Sequence, residues 1–126
     1  MYWKLIKGIF FLFYLITLPS YLHSDTTISS YLNDGMRFYD SSDYSNALES
    51  WKKASELGNK EADFLLGFIY DGVLQNDEKA FFYFRKAAAS GHIQAQVNVG
   101  ARYEVGEGIK INYEEAKFWY SKAAYN

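Results

Sequence analysis

Apolar and small side chains recur with a helical period along most of this chain. In residues 61–70, "EADFLLGFIY", Ala62, Leu66 and Ile69 lie three or four positions apart, which is the spacing of one helix face. Residues 77–89, "DEKAFFYFRKAAA", repeat this spacing with alanines and aromatic residues. Turns rich in glycine, asparagine and aspartate separate such segments, so the pattern predicts short helices joined in pairs.

The first residues of the chain follow a different pattern. Residues 9–18, "IFFLFYLITL", are apolar apart from one threonine, and they follow Lys4 and Lys7 and precede Pro19. A basic start, an apolar run of about 7–15 residues and a polar exit are typical of a secretory signal peptide. We therefore interpret residues 1–24 as a signal peptide.

The fate of this segment decides where the protein is located. Cleavage before Asp25 fits the small residue Ser24, and cleavage after Ser20 is the alternative. Either event predicts an exported protein, periplasmic or secreted. If the segment is retained, residues 9–22 predict an anchor in the inner membrane, although a spanning helix usually needs about 20 apolar residues. We expect membrane contact only in this second case.

One motif, an aromatic residue followed by a lysine and an alanine cluster, occurs three times. The copies are "ESWKKASELG", "FYFRKAAASG" and "FWYSKAAYN", and matching positions lie 33 and then 36 residues apart. Recurrence at this period indicates a helical repeat whose hairpins stack and share one core. The matching sets are Ala47, Ala80 and Ala116; Trp51, Phe84 and Tyr120; and Ala54, Ala87 and Ala123.

Polar caps and glycines mark the predicted helix ends. Asn76 and Asn112 stand where N-caps belong, and Glu115 follows three residues after the second, as in a capping box. Gly58 and Gly91 fall just past predicted helix ends, where a left-handed residue is favoured. These signals place the helix boundaries within each repeat.

Two further glycines lie inside predicted helices. Gly67 and Gly100 each cost about 1 kcal/mol relative to alanine in a helix interior. We therefore expect a close approach of two helices at each glycine. Ala80 and Ala116 are the expected facing surface, with an aromatic residue filling the space beside each pair.

Residues 62–91 and 95–124 carry a recognisable pattern. Each contains A-x-x-x-L/V-G-x-x-Y, then a glycine-rich turn, then K/E-A-x-x-x-F/Y-x-K-A-A. This pattern resembles the Sel-one-like repeat, a variant of the tetratricopeptide repeat. Residues 31–58 are more similar to an ordinary tetratricopeptide unit.

The resemblance implies an all-α fold, a right-handed α-α superhelix (solenoid) of about three helix-turn-helix repeats. After the signal peptide, the chain would divide into a tetratricopeptide-like helix pair at residues 27–58 and two Sel-one-like repeats at 59–91 and 92–126.

The resemblance also implies a concave groove, lined by the first helix of each pair, that binds a protein or peptide partner. Phe64 and Phe68 lie off the predicted core stripe of their helix, which favours such a surface. We therefore predict an exported, non-enzymatic adaptor or scaffold. Carried over by position, the predicted groove residues are Leu32, Met36, Tyr39, Glu61, Phe64, Phe68, Asp71, Gln94, Val97, Ala101 and Glu104.

Composition and the remaining side chains limit the chemistry. The chain has 126 residues and a formal net charge of -2, which argues against a nucleic-acid partner. It contains no cysteine, and His92 has no second histidine at ligand spacing, so we predict no metal site. The sequence predicts no cofactor and no catalytic residue, and we expect His92 to be a solvated turn residue.

The sequence leaves two other functions open. The first is an envelope enzyme acting on cell-wall or β-lactam-like substrates, as proposed for cysteine-containing relatives, although this chain has no cysteine. The second is a membrane-tethered assembly factor held by residues 9–22.

Overall fold

The computed structural model describes residues 24–126, which form helices and no strand. The all-α prediction is confirmed for this part of the chain. The predicted signal peptide falls almost entirely on residues outside the described ones. Residues 24–40 are helical (α1), and the helices that follow are α2 Tyr44–Glu56, α3 Lys60–Gly72, α4 Asp77–Ala89, α5 Ile93–Val105 and α6 Tyr113–Ala124.

Each of the helices α2 to α6 begins at a side chain that accepts a hydrogen bond from the backbone N–H three residues later. Asn76 and Asn112 act in this way, so the predicted N-caps are confirmed. The other caps are Asp43, Asn59 and His92. Such caps satisfy backbone donors that a helix leaves unpaired at its start.

Gly58 and Gly91 both have a φ of +83°, directly after α2 and α4. Only glycine adopts this left-handed conformation without strain. Each therefore turns the chain sharply into the next first helix. This turn places α3 against α2 and α5 against α4.

The helices form three pairs, which we call unit 1 (α1–α2), unit 2 (α3–α4) and unit 3 (α5–α6). Within units 2 and 3 the two helices pack against each other, and α2–α3 and α4–α5 form the two joints between units. One connected set of buried apolar side chains runs through all three units, from Trp51 through Leu66 and Phe84 to Val99 and Trp119. The described residues therefore share one core across the three units, as the repeat pattern predicted.

The mid-helix glycines make room for aromatic rings and not for alanines. A Cβ atom on Gly67 would lie 2.6 Å from the Phe84 ring, and one on Gly100 would lie 2.8 Å from the Tyr120 ring. The expected close approach is present, but the expected partners, Ala80 and Ala116, are not the nearest atoms. The aromatic rings lie directly over the two glycines. Any side chain in place of either glycine would therefore collide with the ring.

The first unit follows the same rule. A Cβ on Gly35 would lie 2.3 Å from Nε1 of Trp51. Gly35, Gly67 and Gly100 therefore occupy equivalent positions in α1, α3 and α5. This structural register allows any residue of one first helix to be matched with its counterparts in the other two.

Candidate protein-binding groove

The predicted groove residues form a regular array on the three first helices. Counted from the helical glycine, Leu32, Phe64 and Val97 share one position, three residues before it. Met36, Phe68 and Ala101 directly follow the glycine, and Tyr39, Asp71 and Glu104 lie four residues after it. The remaining two, Glu61 and Gln94, also share a position. The set is thus a surface of successive, equivalent rows.

None of these eleven side chains is fully buried. Met36 is 45 % exposed, Phe68 47 % and Val97 38 %, so each first helix has one large apolar residue of the predicted groove that faces solvent. Leu32, Phe64 and Tyr39 are partly buried against the core. A single exposed apolar residue is ordinary, but here all three first helices carry one. Met36 and Phe68 share a position, and Val97 lies in the row of Leu32 and Phe64; we call these three exposed residues the apolar strip.

Aromatic contacts hold the rows together. The rings of Tyr39 and Phe68 lie 6.3 Å apart, which links α1 to α3. The Phe64 ring stacks on His92 at 4.4 Å and also packs against Phe84 at 5.6 Å. Phe64 therefore has a structural role as well as a position in the groove, whereas Phe68 leaves nearly half of its surface open.

His92 is a cap and a contact, not the solvated turn residue expected from the sequence. Its Nδ1 accepts a hydrogen bond from the N–H of Ala95 at 3.2 Å, and its Nε2 lies 3.0 Å from a carboxylate oxygen of Glu61. A backbone N–H can only donate, so Nδ1 carries no proton and Nε2 donates to Glu61. The ring thereby connects the start of α5 to the start of α3.

The acidic groove residues are already paired within the chain. The guanidinium of Arg102 binds the Asp71 carboxylate. The hydroxyl of Tyr120 donates to Glu104 at 2.8 Å, and partial burial together with this bond raises the pKa of Tyr120 above its usual value. With Glu61 bound to His92, the acids form a polar border, and the apolar strip is the part of the groove that keeps exposed apolar surface.

A second exposed patch lies outside the groove, on α4. Phe82 is 60 % exposed and borders a hollow of about 400 Å³ that is also lined by Phe81, Arg85, Lys86 and Ala89. The sequence analysis did not single out Phe82. The missed signal is the unbroken run "FFYF", because four consecutive aromatic residues cannot all lie on one helix face.

One buried polar cluster also escaped the sequence analysis. Ser55 donates to Asp63 at 2.5 Å, and the Lys86 ammonium group donates to Ser55 at 2.6 Å and to Asp63 at 2.8 Å. Asp63 and Ser55 are buried, so this cluster joins α2, α3 and α4 inside the first joint. No group of three or more side chains suited to hold a metal ion occurs within residues 24–126.

Among the described helices, none combines the length and the apolar character required to cross a membrane. What the described part presents is a stack of helix pairs with an apolar strip on its first helices. These features define a helical-repeat protein of the interaction class. Three consecutive segments, residues 32–59, 60–92 and 93–126, match the family model described as Sel1 repeat.

The chain therefore belongs to the Sel1 repeat family, whose repeats typically form non-catalytic scaffolds for protein–protein interaction. The first match, residues 32–59, covers the unit that we expected to be an ordinary tetratricopeptide unit. All three units thus share one family description.

Solved structures show the same fold. The chain is 30 % identical to a Sel1 repeat protein from Oxalobacter formigenes, with a TM-score of 0.72 over 86 % of this chain and 88 % of that one. It is 28 % identical to a protective antigen of uropathogenic Escherichia coli that displays an SLR fold, with a TM-score of 0.74 over 78 % of this chain and 22 % of that one.

Two eukaryotic relatives match over part of the chain. DAP3-binding cell death enhancer 1 of Rattus norvegicus is 37 % identical over 79 residues, 62 % of this chain. The ERAD-associated E3 ubiquitin-protein ligase component HRD3B of Arabidopsis thaliana is 33 % identical over 76 residues, 58 % of this chain. The matches span only 16 % and 13 % of these longer relatives.

Proposed function

We propose that this chain is an exported, non-enzymatic adaptor that binds a protein or peptide partner in the groove of a right-handed stack of three helix pairs. The observation that carries this proposal is the apolar strip formed by Met36, Phe68 and Val97. These side chains are 45 %, 47 % and 38 % exposed, whereas the charged residues around them are paired within the chain.

The physical basis of binding is burial of this strip. Removing apolar surface from water contributes about 25 cal/mol per Å², and ordering each exposed side chain at the interface costs about 0.5–1.5 kcal/mol of this. The acids at the border are occupied by His92, Arg102 and Tyr120. These acids therefore disfavour a partner that brings acidic groups to the border of the strip, and they contribute little attraction of their own.

The spacing of the helices limits the partner's shape. Packed helices lie about 8–10 Å apart, and an extended peptide advances about 3.3 Å per residue. Because successive side chains of an extended peptide point to opposite faces, a peptide that crosses the first helices would face the strip with residues an even number of positions apart. We infer a linear segment with apolar residues at that spacing as the preferred ligand.

Export is proposed from the sequence pattern of residues 1–24, and a membrane-tethered assembly factor is the version in which residues 9–22 are retained. Intact-mass measurement of the protein recovered from its final compartment separates the two. Loss of residues 1–24 supports a free exported adaptor, and a full-length mass in the membrane fraction supports the tethered form.

We do not propose an envelope enzyme. The polar clusters of the described residues already have structural roles: His92 caps α5, and the Ser55 hydroxyl is held between Asp63 and Lys86 inside a joint. A nucleophilic serine in this arrangement has no open space beside it, because Ser55 itself is buried.

Selection from a random linear peptide library tests the groove. We expect peptides selected on the wild-type chain to lose at least tenfold in affinity for a triple variant, Met36→Ser with Phe68→Ser and Val97→Ser. The matched control is Phe82→Ser, which removes an even more exposed ring on α4 (60 %) and should leave binding unchanged. Peptides that bind the triple variant normally and lose affinity for Phe82→Ser would place the site on α4 and reject the groove.

A further inference from the structure

The second joint contains a receptor for an arginine side chain. Arg102, on α5, is only 5 % exposed. Its guanidinium binds the carboxylate of Asp71 and lies 5.3 Å from the ring centre of Phe84. Unit 2 thus offers a carboxylate and an aromatic face, and unit 3 supplies the arginine, a pairing that suits the planar and always charged guanidinium.

Unit 3 carries the same receptor on its far side. Glu104 lies four residues after its helical glycine, the position of Asp71 in unit 2, and Tyr120 matches Phe84 because both rings lie against that glycine. A hollow of about 300 Å³ is present there. No helix of the described chain covers it, and it is lined by Glu104, Tyr113, Ala116, Lys117, Tyr120 and Ser121.

The Glu104 carboxylate retains the capacity to bind a cation. The Tyr120 hydroxyl occupies one of its oxygens, Oε2, at 2.8 Å. A carboxylate accepts through both oxygens, so a guanidinium has an acceptor beside an aromatic face, as Arg102 has in the second joint.

Unit 1 carries a matching arginine at the opposite end of the stack. Arg37 lies two residues after Gly35, and Arg102 lies two residues after Gly100. The residue at this position in α3, Ile69, is fully buried in the shared core. Arg37 has no unit before it among the described residues. Its side chain is 72 % exposed, with a surface ion pair to Asp34 at 2.9 Å.

We propose that a second copy of the chain continues the stack, with α1 of one copy docked on α5 and α6 of the other and Arg37 seated between Glu104 and Tyr120. The chosen occupant is a second copy because this chain itself offers both halves of the pairing, in the same register as its own second joint. The contact is head to tail, so the two surfaces differ and the assembly forms rings or open chains.

This assembly goes beyond the proposed function, because it uses the two ends of the stack and not the apolar strip. Glu104 borders both the peptide groove and the proposed contact between copies, whereas Arg37 belongs only to the contact between copies. Arg37 is therefore the residue whose replacement separates the two proposals, and loss of assembly without loss of peptide binding is the expected result of changing it.

Sedimentation velocity of the purified full chain tests the proposal, with the N-terminus of the sample defined by intact mass. The concentration series extends to about 1 mM, where association with a free energy of only about 4 kcal/mol becomes detectable. We expect wild-type chains to associate, and Arg37→Glu or Glu104→Arg to weaken association by at least tenfold. Mixing these two variants should restore it, because each single-variant chain then meets an oppositely charged partner at both ends. Arg85→Glu, a reversal on exposed α4, is the matched control and should associate like the wild type.

Several outcomes would overturn the proposal. They are a wild-type chain that stays monomeric throughout the series, association that is indifferent to Arg37→Glu, and single variants that fail to complement each other in the mixture. Circular dichroism checks that each variant is folded. Should Glu104→Arg fail to fold, Glu104→Gln keeps the side-chain shape and removes the charge, and it must also weaken association. A monomer unaffected by Arg37→Glu would indicate that another segment covers α1.

Discussion

The two joints between units place different polar side chains at one equivalent position, a charged carboxylate in the first joint and a neutral amide in the second. In the joint of units 1 and 2, the buried carboxylate of Asp63 receives hydrogen bonds from Ser55 and from the Lys86 ammonium group. In the joint of units 2 and 3, the same position holds Gln96, whose amide donates to the carbonyl of Ala88 at 3.2 Å and accepts from Asn126 at 3.1 Å. At this position the first joint holds a charged cluster and the second a neutral amide, while the ion pair of the second joint, Arg102 with Asp71, lies elsewhere in that joint.

This difference shows what a buried polar position requires. A charge taken out of water must be compensated by a partner of opposite charge, and removal of that partner is strongly destabilising. A neutral amide needs only hydrogen bonds, which each contribute about 0.5–1.5 kcal/mol net. At this position the first joint should therefore depend on its lysine, and the second should be less sensitive to a single change.

The largest expected effect is at Lys86. Lys86→Met keeps the apolar stem but leaves the Asp63 carboxylate with Ser55 alone. Because the lysine side chain is 43 % exposed, water reaches the gap, and we expect a loss of about 2 kcal/mol, less than the 3–5 of a fully buried pair. Urea unfolding followed by circular dichroism measures it. The matched control is Lys122→Met in unit 3, which should change stability by less than about 0.5 kcal/mol.

Making the first joint neutral sharpens the comparison. Asp63→Gln combined with Lys86→Met copies the amide of the second joint. We expect the double variant to be more stable than the sum of the single effects predicts, by about 1–2 kcal/mol, since the two side chains act as one unit. Strict additivity in this cycle would mean that the lysine does not compensate the buried carboxylate.

A smaller effect is expected at Gln96. Gln96→Leu removes its bonds, but the Ala88 carbonyl still accepts from the N–H of Gly91 at 3.0 Å, so no buried acceptor is left unpaired. We expect a loss of about 1 kcal/mol in thermal or urea unfolding. A loss as large as that of Lys86→Met would contradict the distinction between the joints.

Asn59 and His92 cap the helices at equivalent positions of the two joints. The smallest loss of stability is expected when His92 is replaced by asparagine, the cap of the first joint. His92→Asn replaces the capping Nδ1 with a capping oxygen and removes the stacking on Phe64 and the bond to Glu61. We expect it to lower stability by no more than about 1 kcal/mol, whereas His92→Ala, which also removes the cap, should lower it by about 1 kcal/mol more. Equal losses for both variants would show that the cap contributes nothing.

Local signals in the sequence predicted much of this fold because they act over a few residues. The caps at Asn76 and Asn112 and the left-handed turns at Gly58 and Gly91 depend only on neighbouring backbone groups. The close approach at Gly67 and Gly100 was also predictable, since a glycine inside a helix needs a compensating contact. That contact is a ring, and its identity depends on helix rotation, which periodicity alone does not fix.

Contacts between units were less predictable for the same reason. Ser55 of unit 1 contacts Asp63 of unit 2, and Asp71 of unit 2 contacts Arg102 of unit 3, 31 residues further along the chain. Both contacts depend on how one hairpin packs on the next. An acid within the apolar stripe "ADFLLG" was the available signal for the buried cluster. The groove residues follow from their register relative to the glycines, and their role in binding remains a prediction.

The central claim is that the units form one stack whose shared core makes them fold together. Trp51 lies in unit 1 and Trp119 in unit 3, and Trp3 precedes both. In a Trp3→Phe background, Trp119→Phe leaves a fluorescent reporter on unit 1 and Trp51→Phe leaves one on unit 3. In each variant we predict that the fluorescence transition in urea coincides with the loss of helical circular dichroism. A reporter that changes at a clearly different urea concentration from the helix signal would show that its unit unfolds alone and would contradict the account.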